Sequence, residues 1–169
     1  MRFLKVLVLV PLVALAACDQ KKSDSAATDS ATAGSAYDTS PDANKRFLAD
    51  YAARPDVKKL PDGLMYRVLQ AGNGPTVQKG SDVVTVYYRG ALINGKVFDQ
   101  TQPGKTATFP AGALIPGWIE ALSLMREGDH WELAIPSDLG YGPGGAGDDI
   151  PGGQTLVFDM TLEKVTPAQ

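Results

Sequence analysis

Six aromatic residues are the side chains in this sequence that could form a binding or reaction site. They belong to different predicted elements, all arranged around one short helix. They are Tyr88, Phe98, Phe109, Trp118, Tyr141 and Phe158. Buried aromatic rings usually just pack against one another, so an ordinary core is one interpretation of this set.

Two details favour an apolar pocket over a filled core. Asp99 directly follows Phe98, and a carboxylate beside a buried ring needs a hydrogen-bond donor such as the Tyr88 hydroxyl. Trp118 comes just after Pro116-Gly117, at the predicted start of the helix. That position suits the floor of a pocket better than the centre of a core.

Residue sets for covalent, metal or cofactor chemistry are missing from the sequence. His130 is the only histidine, most simply a surface residue on a strand, and Cys18 is the only cysteine, so a Cys–His dyad and a zinc site are out of reach. Gly142, Gly144 and Gly147 fit the spacing G-x-G-x-x-G, but Ile150-Pro151-Gly152-Gly153 follows and cannot open the helix that a dinucleotide site requires. The acidic pair Asp148-Asp149 falls short of a calcium site. We expect no metal and no cofactor.

The helix that would position the aromatic residues begins at Pro116, which suits a first helical turn because its missing N–H has no intrahelical partner there. The apolar residues that follow lie nearly all round the helix, and only Glu120 and Ser123 are polar. They are Trp118, Ile119, Ala121, Leu122, Leu124 and Met125. This pattern predicts a helix buried on all sides, and two to three turns are not stable unless other elements surround them.

Strands account for most of the remaining chain. β-Branched and aromatic residues dominate 82–92, and Asn94-Gly95 is a strong hairpin signal. Further strands are predicted at Leu64–Leu69, Lys96–Phe98, Thr106–Phe109, His130–Ile135 and Thr155–Val165, the last after a Gly/Pro-rich loop at Gly140–Gly153. The pattern predicts an α+β fold in which an antiparallel β-sheet curves around one short central α-helix.

The N-terminus has the features of a targeting signal. Arg2 and Lys5 precede an apolar run that is too short to span a bilayer. Leu15-Ala16-Ala17-Cys18 resembles the lipobox of bacterial lipoproteins, which implies removal of residues 1–17 and lipidation of Cys18. An ordinary secretory signal that contains a free cysteine is the alternative. Lipidation is favoured because Cys18 sits at the cleavage position and has no disulfide partner.

Three segments follow the signal peptide. Residues 18–40 are small and polar, which predicts a flexible tether. Ser40-Pro41-Asp42 is typical of a helix start, so residues 41–56 are predicted as a short N-terminal helix, with Ala43, Phe47 and Tyr51 on one face. This face could dock on the main domain, residues 57–169, or on another molecule, and docking is favoured because the stripe is short. Loss of Arg2 and Lys5 lowers the formal charge from −3 to −5, which argues against a nucleic-acid partner.

Several stretches together resemble the FKBP-type peptidyl-prolyl isomerases, in particular the macrophage-infectivity-potentiator-like branch. They occur in the family's order over roughly residues 60–166. They are Val86-Tyr87-Tyr88-Arg89-Gly90, Asn94-Gly95-Lys96-Val97-Phe98-Asp99, 114–122 with Met125, Ile135-Pro136, Tyr141-Gly142, Ile150-Pro151 and 155–159. The family's fold agrees with the one predicted above.

The resemblance also implies roles for individual residues. Tyr88, Asp99 and Tyr141 would be catalytic, with Asp99 linked to Tyr88 near the twisting amide and the Tyr141 hydroxyl holding a substrate carbonyl. The substrate-binding residues would be Phe98, Phe109, Leu114, Ile115, Trp118, Ile150 and Phe158. Trp118 would lie beneath the proline ring, and the Ile150 N–H would hold a second carbonyl.

The implied activity is cis–trans isomerisation of X-Pro bonds in polypeptide clients, in the bacterial envelope and without a cofactor. Macrolides such as rapamycin and tacrolimus are the implied inhibitors. A non-catalytic proline-peptide-binding or chaperone module with the same pocket is the alternative, because Ala107 replaces an aromatic residue found in some members and Gly152-Gly153 replaces a frequent second proline. Only the last helix of the branch's dimerising domain is recognisable, so a monomer is expected.

Overall fold

The computed structural model describes residues 37–169, which form two α-helices and seven β-strands. The elements are α1 (Pro41–Ala52), β1 (Val57–Lys59), β2 (Met65–Gln70), β3 (Val83–Leu92), β4 (Val97–Gln100), β5 (Ala107–Pro110), α2 (Pro116–Leu124), β6 (His130–Ile135) and β7 (Leu156–Thr166). The strands form one antiparallel sheet in the order β1-β2-β6-β7-β3-β4, and β5 also pairs with β3. The predicted α+β class and sheet are confirmed.

The observed strands agree with the predicted ones to within about one residue at most ends. The hairpin at Asn94-Gly95 forms as predicted: Leu92 N–H donates to Lys96 O at 2.9 Å, and Gly95 has φ of 85°. Strand β1 was not predicted, because three residues are too few to show an alternating pattern. It pairs with β2 at the edge of the sheet.

Helix α2 covers one face of the sheet and contributes Trp118, Ala121 and Leu122 to the main core. The prediction that it is buried all round is wrong, because Ile119 is 39% exposed and Leu124 is 45% exposed. The sheet lies on one side of the helix only. The outward side therefore carries apolar residues without being covered by a second layer.

Helix α1 packs on the opposite face of the sheet. Its residues Ala43, Phe47 and Tyr51 are buried against Met65 and Ala134, whose neighbours in β2 and β6 point toward α2. Successive strand residues point to opposite faces, so the two helices sandwich the sheet. The helical stripe therefore docks on the main domain. Within residues 37–169, neither helix combines the length and apolar character that crossing a bilayer would take.

The predicted signal peptide (1–17), Cys18 and almost all of the predicted tether lie outside the described residues. The last residues of the predicted tether, 37–40, are described and lead into α1. Ser40 caps this helix, since its Oγ accepts from Ala43 N–H at 3.2 Å.

Asp82 joins the segment before β3 to the end of the chain. Its carboxylate accepts hydrogen bonds from the backbone N–H groups of Ala168, Gln78 and Lys79, at 3.0, 2.8 and 2.9 Å. These donors stabilise the ionised form, the Ala168 bond most strongly, and they lower the pKa of Asp82. Because the native state binds this proton more weakly than the unfolded chain does, Asp82 stabilises the fold at neutral pH.

We expect Asp82→Ala to lower the thermal unfolding midpoint at pH 7 and to have progressively less effect in acid. A depressed native pKa contributes stability above the unfolded value of about 3.9, and this contribution is lost as the pH falls through the native pKa. Thermal unfolding of both proteins between pH 7 and pH 3 measures the difference. Glu163→Ala, which removes an exposed carboxylate, is the control. A difference between wild type and Asp82→Ala that stays constant with pH would contradict this account.

Candidate active site

One cavity of about 380 Å³ opens between the first turn of α2 and the sheet. Its walls are largely aromatic, with a single carboxylate. The lining residues are Tyr88, Phe98, Asp99, Phe109, Ala113, Leu114, Ile115, Trp118, Tyr141 and Phe158. The sequence therefore predicted nine of these ten positions, although they come from four strands, one helix and two loops.

The cavity lies where the edge of β3 changes partners. Residues 83–86 of β3 pair with β5, whereas residues 89–91 pair with β4, so neither strand pairs with Tyr88. Thr101 takes the place of a strand there. Its hydroxyl accepts from Tyr88 N–H and donates to Tyr88 O, both at 3.2 Å, and its own N–H donates to Tyr88 O at 3.0 Å. Thr101 therefore fixes the backbone that carries Tyr88.

A β-bulge lets two consecutive residues of β4 face the cavity. Gly90 pairs with Asp99 and Ala91 pairs with Val97, which leaves Phe98 as the extra residue. In a regular strand Phe98 and Asp99 would point to opposite faces, but a bulge redirects one of them. Both side chains line the cavity as a result. A periodicity of two along the sequence gives no indication of this arrangement.

Gly90 makes room for the rings of the inner wall. A Cβ atom at this position would lie 2.6 Å from Cε1 of Phe158 and 2.7 Å from Cζ of Phe98. The two rings meet edge to face over this glycine, with centroids 5.6 Å apart and planes at 86°. Gly90 is thus required by the close approach of the rings.

Trp118 is the centre of the aromatic set. Its ring meets those of Tyr88 and Phe158 edge to face, each at 5.1 Å between centroids, and that of Phe109 at 6.3 Å. The side chain is 4% exposed, as expected of a floor, whereas Tyr141 at the rim is 41% exposed. Edge-to-face pairs of this kind add about 0.5–1.5 kcal/mol each beyond the area they bury.

Tyr88 and Asp99 form the predicted hydrogen bond. The phenol donates to Oδ2 of Asp99 at 2.6 Å. Burial of the ring, followed by the bond to Asp99 and the charge of that carboxylate, raises the pKa of Tyr88. The phenol consequently stays protonated and remains a donor across the physiological range. Asp99 itself lies on the exposed side of this pair, where it can meet a ligand.

Ile150 is the one predicted pocket residue that does not line the cavity. Its side chain is buried in the main core, and its N–H donates to Ala146 O at 3.2 Å while Ala146 N–H donates to Ile150 O at 2.8 Å. The amide predicted to hold a substrate carbonyl is therefore engaged within its own loop.

Ala113, Thr101 and Gly90 are the positions that the sequence analysis missed. Among residues 37–169, no three His, Cys, Asp or Glu side chains are grouped in the manner of a metal site.

Comparison with known proteins agrees with this geometry. Residues 74–163 match the family model described as FKBP-type peptidyl-prolyl cis-trans isomerase. The chain belongs to this family. Residues 14–68 match a second model, the domain amino terminal to FKBP-type peptidyl-prolyl isomerase, and this match begins outside the described residues.

Individual FKBP-type proteins of bacteria are similar to this chain. It is 46% identical over 123 residues to the Outer membrane protein MIP of Legionella longbeachae, covering 72% of this chain and 52% of that protein. It is 44% identical over 121 residues to the FKBP-type 22 kDa peptidyl-prolyl cis-trans isomerase of Escherichia coli, covering 71% and 58%. The chain thus spans somewhat more than half the length of these relatives.

Two solved structures share the fold at 40% sequence identity. The crystal structure of FkpA from Escherichia coli gives a TM-score of 0.70 over 75% of this chain and 59% of that one. The peptidyl-prolyl cis-trans isomerase of Pseudomonas syringae gives 0.69 over 75% of this chain and 92% of that one. The FKBP-like architecture predicted from the sequence is confirmed.

The FKBP-type cavity of this chain should depend on Gly90. We expect Gly90→Ala to force the rings of Phe98 and Phe158 apart, and overpacking of this kind costs about 1–3 kcal/mol. The free energy of unfolding should fall by that amount, and the near-ultraviolet circular dichroism of the aromatic rings should change.

Gly80→Ala is the matched control, because a Cβ there meets Gly112 at an ordinary 3.5 Å. Urea unfolding and near-ultraviolet spectra of both variants give the comparison. Equal effects of the two substitutions would show that Gly90 is not a constraint on the rings.

Proposed function

We propose that this protein is a peptidyl-prolyl cis–trans isomerase that acts on X-Pro bonds of polypeptide clients. The observation that carries the proposal is the aromatic cavity with the Tyr88–Asp99 pair in its wall. An X-Pro bond isomerises slowly because twisting it breaks amide resonance, at a barrier of about 18–20 kcal/mol. No covalent bond is made or broken, so the reaction requires no nucleophile.

The apolar lining supports this chemistry by favouring the twisted amide. A planar amide separates charge between its oxygen and nitrogen, and twisting reduces that separation. Transfer from water to an aromatic cavity therefore costs the planar ground state more than the transition state, which is differential binding. We place the proline ring over Trp118, with Phe98 and Phe158 at its sides, because Trp118 and Phe158 are buried and Phe98 is partly buried against them.

Asp99 is the polar group that would act on the amide. Tyr88 holds its carboxylate at 2.6 Å, in a fixed position at the cavity wall. A carboxylate close to the substrate carbonyl opposes the negative charge that the planar amide places on its oxygen, and so favours the twisted state. The Tyr141 hydroxyl, at the exposed rim, would hold a neighbouring carbonyl of the client and orient the chain.

The required energies are within reach of these effects. Each tenfold in rate needs about 1.4 kcal/mol, so an acceleration of 10⁴ to 10⁶ needs about 5.5 to 8 kcal/mol. The charge contact with Asp99 would contribute on the scale of an interaction with a charged group, about 1.5–3 kcal/mol, and desolvation of the amide would supply the remainder.

A binding module without turnover is the second candidate function, and one observation favours it. The Ile150 N–H, expected to hold a substrate carbonyl, already donates to Ala146 O. If a client does not displace this bond, one orienting contact is lost while the cavity still binds proline. The two functions predict the same ligands, including macrolides such as rapamycin and tacrolimus, and differ only in acceleration.

We further propose that the protein acts as a monomer in the bacterial envelope, with residues 1–17 removed and Cys18 lipidated. The sequence of the N-terminus supports this anchor, and the relative from Legionella longbeachae is named an outer membrane protein. Residues 18–40 would be the tether, residues 41–56 the docked segment and residues 57–169 the isomerase domain. The helix of the docked segment ends at Ala52, four residues before the predicted end. Mass spectrometry of the protein from bacterial membranes tests for the diacylated cysteine.

We expect Asp99→Ala to reduce kcat/KM for a short X-Pro peptide about tenfold to hundredfold, the loss that one hydrogen bond or charge contact represents. Trp118→Ala should instead weaken peptide binding and raise KM. The rate of cis-to-trans conversion, measured with the purified mature protein with and without rapamycin, provides both values.

Asp138→Ala is the matched control, since it removes an exposed aspartate that does not line the cavity. Acceleration that rapamycin abolishes supports the enzyme and its site. Rapamycin binding without acceleration supports the binding module. Wild-type rates in both the Asp99 and Trp118 variants would show that the cavity is not where isomerisation occurs.

A further inference from the structure

The loop between β6 and β7, residues 140–153, forms one side of the cavity through Tyr141. Backbone hydrogen bonds within the loop stabilise its shape. Besides the reciprocal bonds of Ala146 and Ile150, Gly153 N–H donates to Gly142 O at 2.9 Å. These bonds hold the shape of the loop but do not set its distance from the opposite wall.

That opposite wall belongs to the β3–β4 hairpin, and an ion pair joins it to the loop. Nζ of Lys96 lies 2.8 Å from Oδ1 of Asp149. Among residues 37–169, it is the one hydrogen bond or salt bridge that joins loop 140–153 to the hairpin.

Lys96 is close in sequence to a residue of the cavity wall, and Asp149 lies in the loop that carries Tyr141. Lys96 precedes β4 and lies two residues before Phe98, whereas Asp149 directly precedes Ile150. Neither side chain lines the cavity. The pair can therefore act only by holding one wall against the other.

We propose that Lys96 and Asp149 are positioning residues that clamp loop 140–153 across the mouth of the cavity and so set its affinity for the client. This inference rests on the proposed function. Both side chains are well exposed, at 48% and 65%, and an exposed ion pair is weak and sensitive to salt. The clamp consequently opens readily, which a site that must admit and release a polypeptide chain requires.

The clamp is tested first without reference to activity, by amide hydrogen exchange. Lys96→Met and Asp149→Asn should each speed exchange at Ile150 and Gly153 in low salt, whereas the charge-exchanged double variant Lys96→Asp with Asp149→Lys should restore slow exchange. Lys164→Met, an exposed lysine near the end of β7, should leave it unchanged. Exchange in the single variants equal to that of wild type would overturn the clamp.

Kinetics then test whether the clamp serves the site. Each single variant should raise KM for an X-Pro peptide about two- to fivefold with kcat unchanged, equivalent to about 0.4–1 kcal/mol at 1.4 kcal/mol per factor of ten. Wild-type KM should rise between about 0.01 M and about 1 M salt, as the Debye length falls from about 30 Å to about 3 Å, and this dependence should vanish in the single variants.

The double variant should recover both the wild-type KM and its salt dependence, which a loss of stability would not produce. Faster exchange with unchanged KM in the single variants would show that the ion pair holds the loop but would overturn its role in setting the affinity for the client. A wild-type protein that accelerates no X-Pro peptide would reject the proposed function and, with it, the link between the clamp and the client. The hydrogen-exchange measurement tests the clamp independently of whether the protein is an isomerase.

Discussion

The close approach of α2 to β6 determines the depth of the cavity. Gly117 makes it possible, because a Cβ at this position would lie 2.6 Å from Cγ2 of Ile135. With no side chain there, the first turn of the helix lies directly on the strand. Trp118, the next residue, is thereby fixed at the level of the rings it contacts. A bulkier residue would raise the helix and leave the floor of the cavity loose.

The cavity itself exists because the sheet is incomplete at one point. One long strand, paired along the whole outer edge of β3 in place of β4 and β5, would put a side chain where the cavity opens. Two short strands share that edge instead, and Thr101 satisfies the backbone of Tyr88 between them. Backbone groups that are buried without partners are costly, so an open edge needs such a substitute. The interruption therefore provides space for a ligand without leaving Tyr88 N–H and C=O unpaired.

Most of the fold could be predicted from local pattern, because β-branched runs, the Asn94-Gly95 turn and the proline at the start of α2 act over a few residues. The residues that line the cavity were predicted mainly from the resemblance to the FKBP-type family, because the aromatic pattern alone also fitted a plain core. Relations that depend on strand pairing and on hydrogen bonds within loops could not be predicted. The bulge that turns Phe98 and Asp99 to one side, and the bond that occupies Ile150 N–H, depend on pairings with distant residues. The exposure of Ile119 was missed because hydrophobicity alone does not show how many layers cover a helix.

The position of helix α1 bears on the proposed lipid anchor, because it is remote from the cavity. It occupies the face of the sheet away from α2, where Phe47 and Tyr51 are buried. Asn44 secures it to the start of β7, since its Oδ1 accepts from Thr155 N–H at 2.7 Å. The segment that leads toward the tether consequently departs beside Gln154, which donates to Thr39 O at 3.0 Å. The proposed tether would therefore join the domain on its α1 side, and an anchor there would leave the cavity wall free to meet a client.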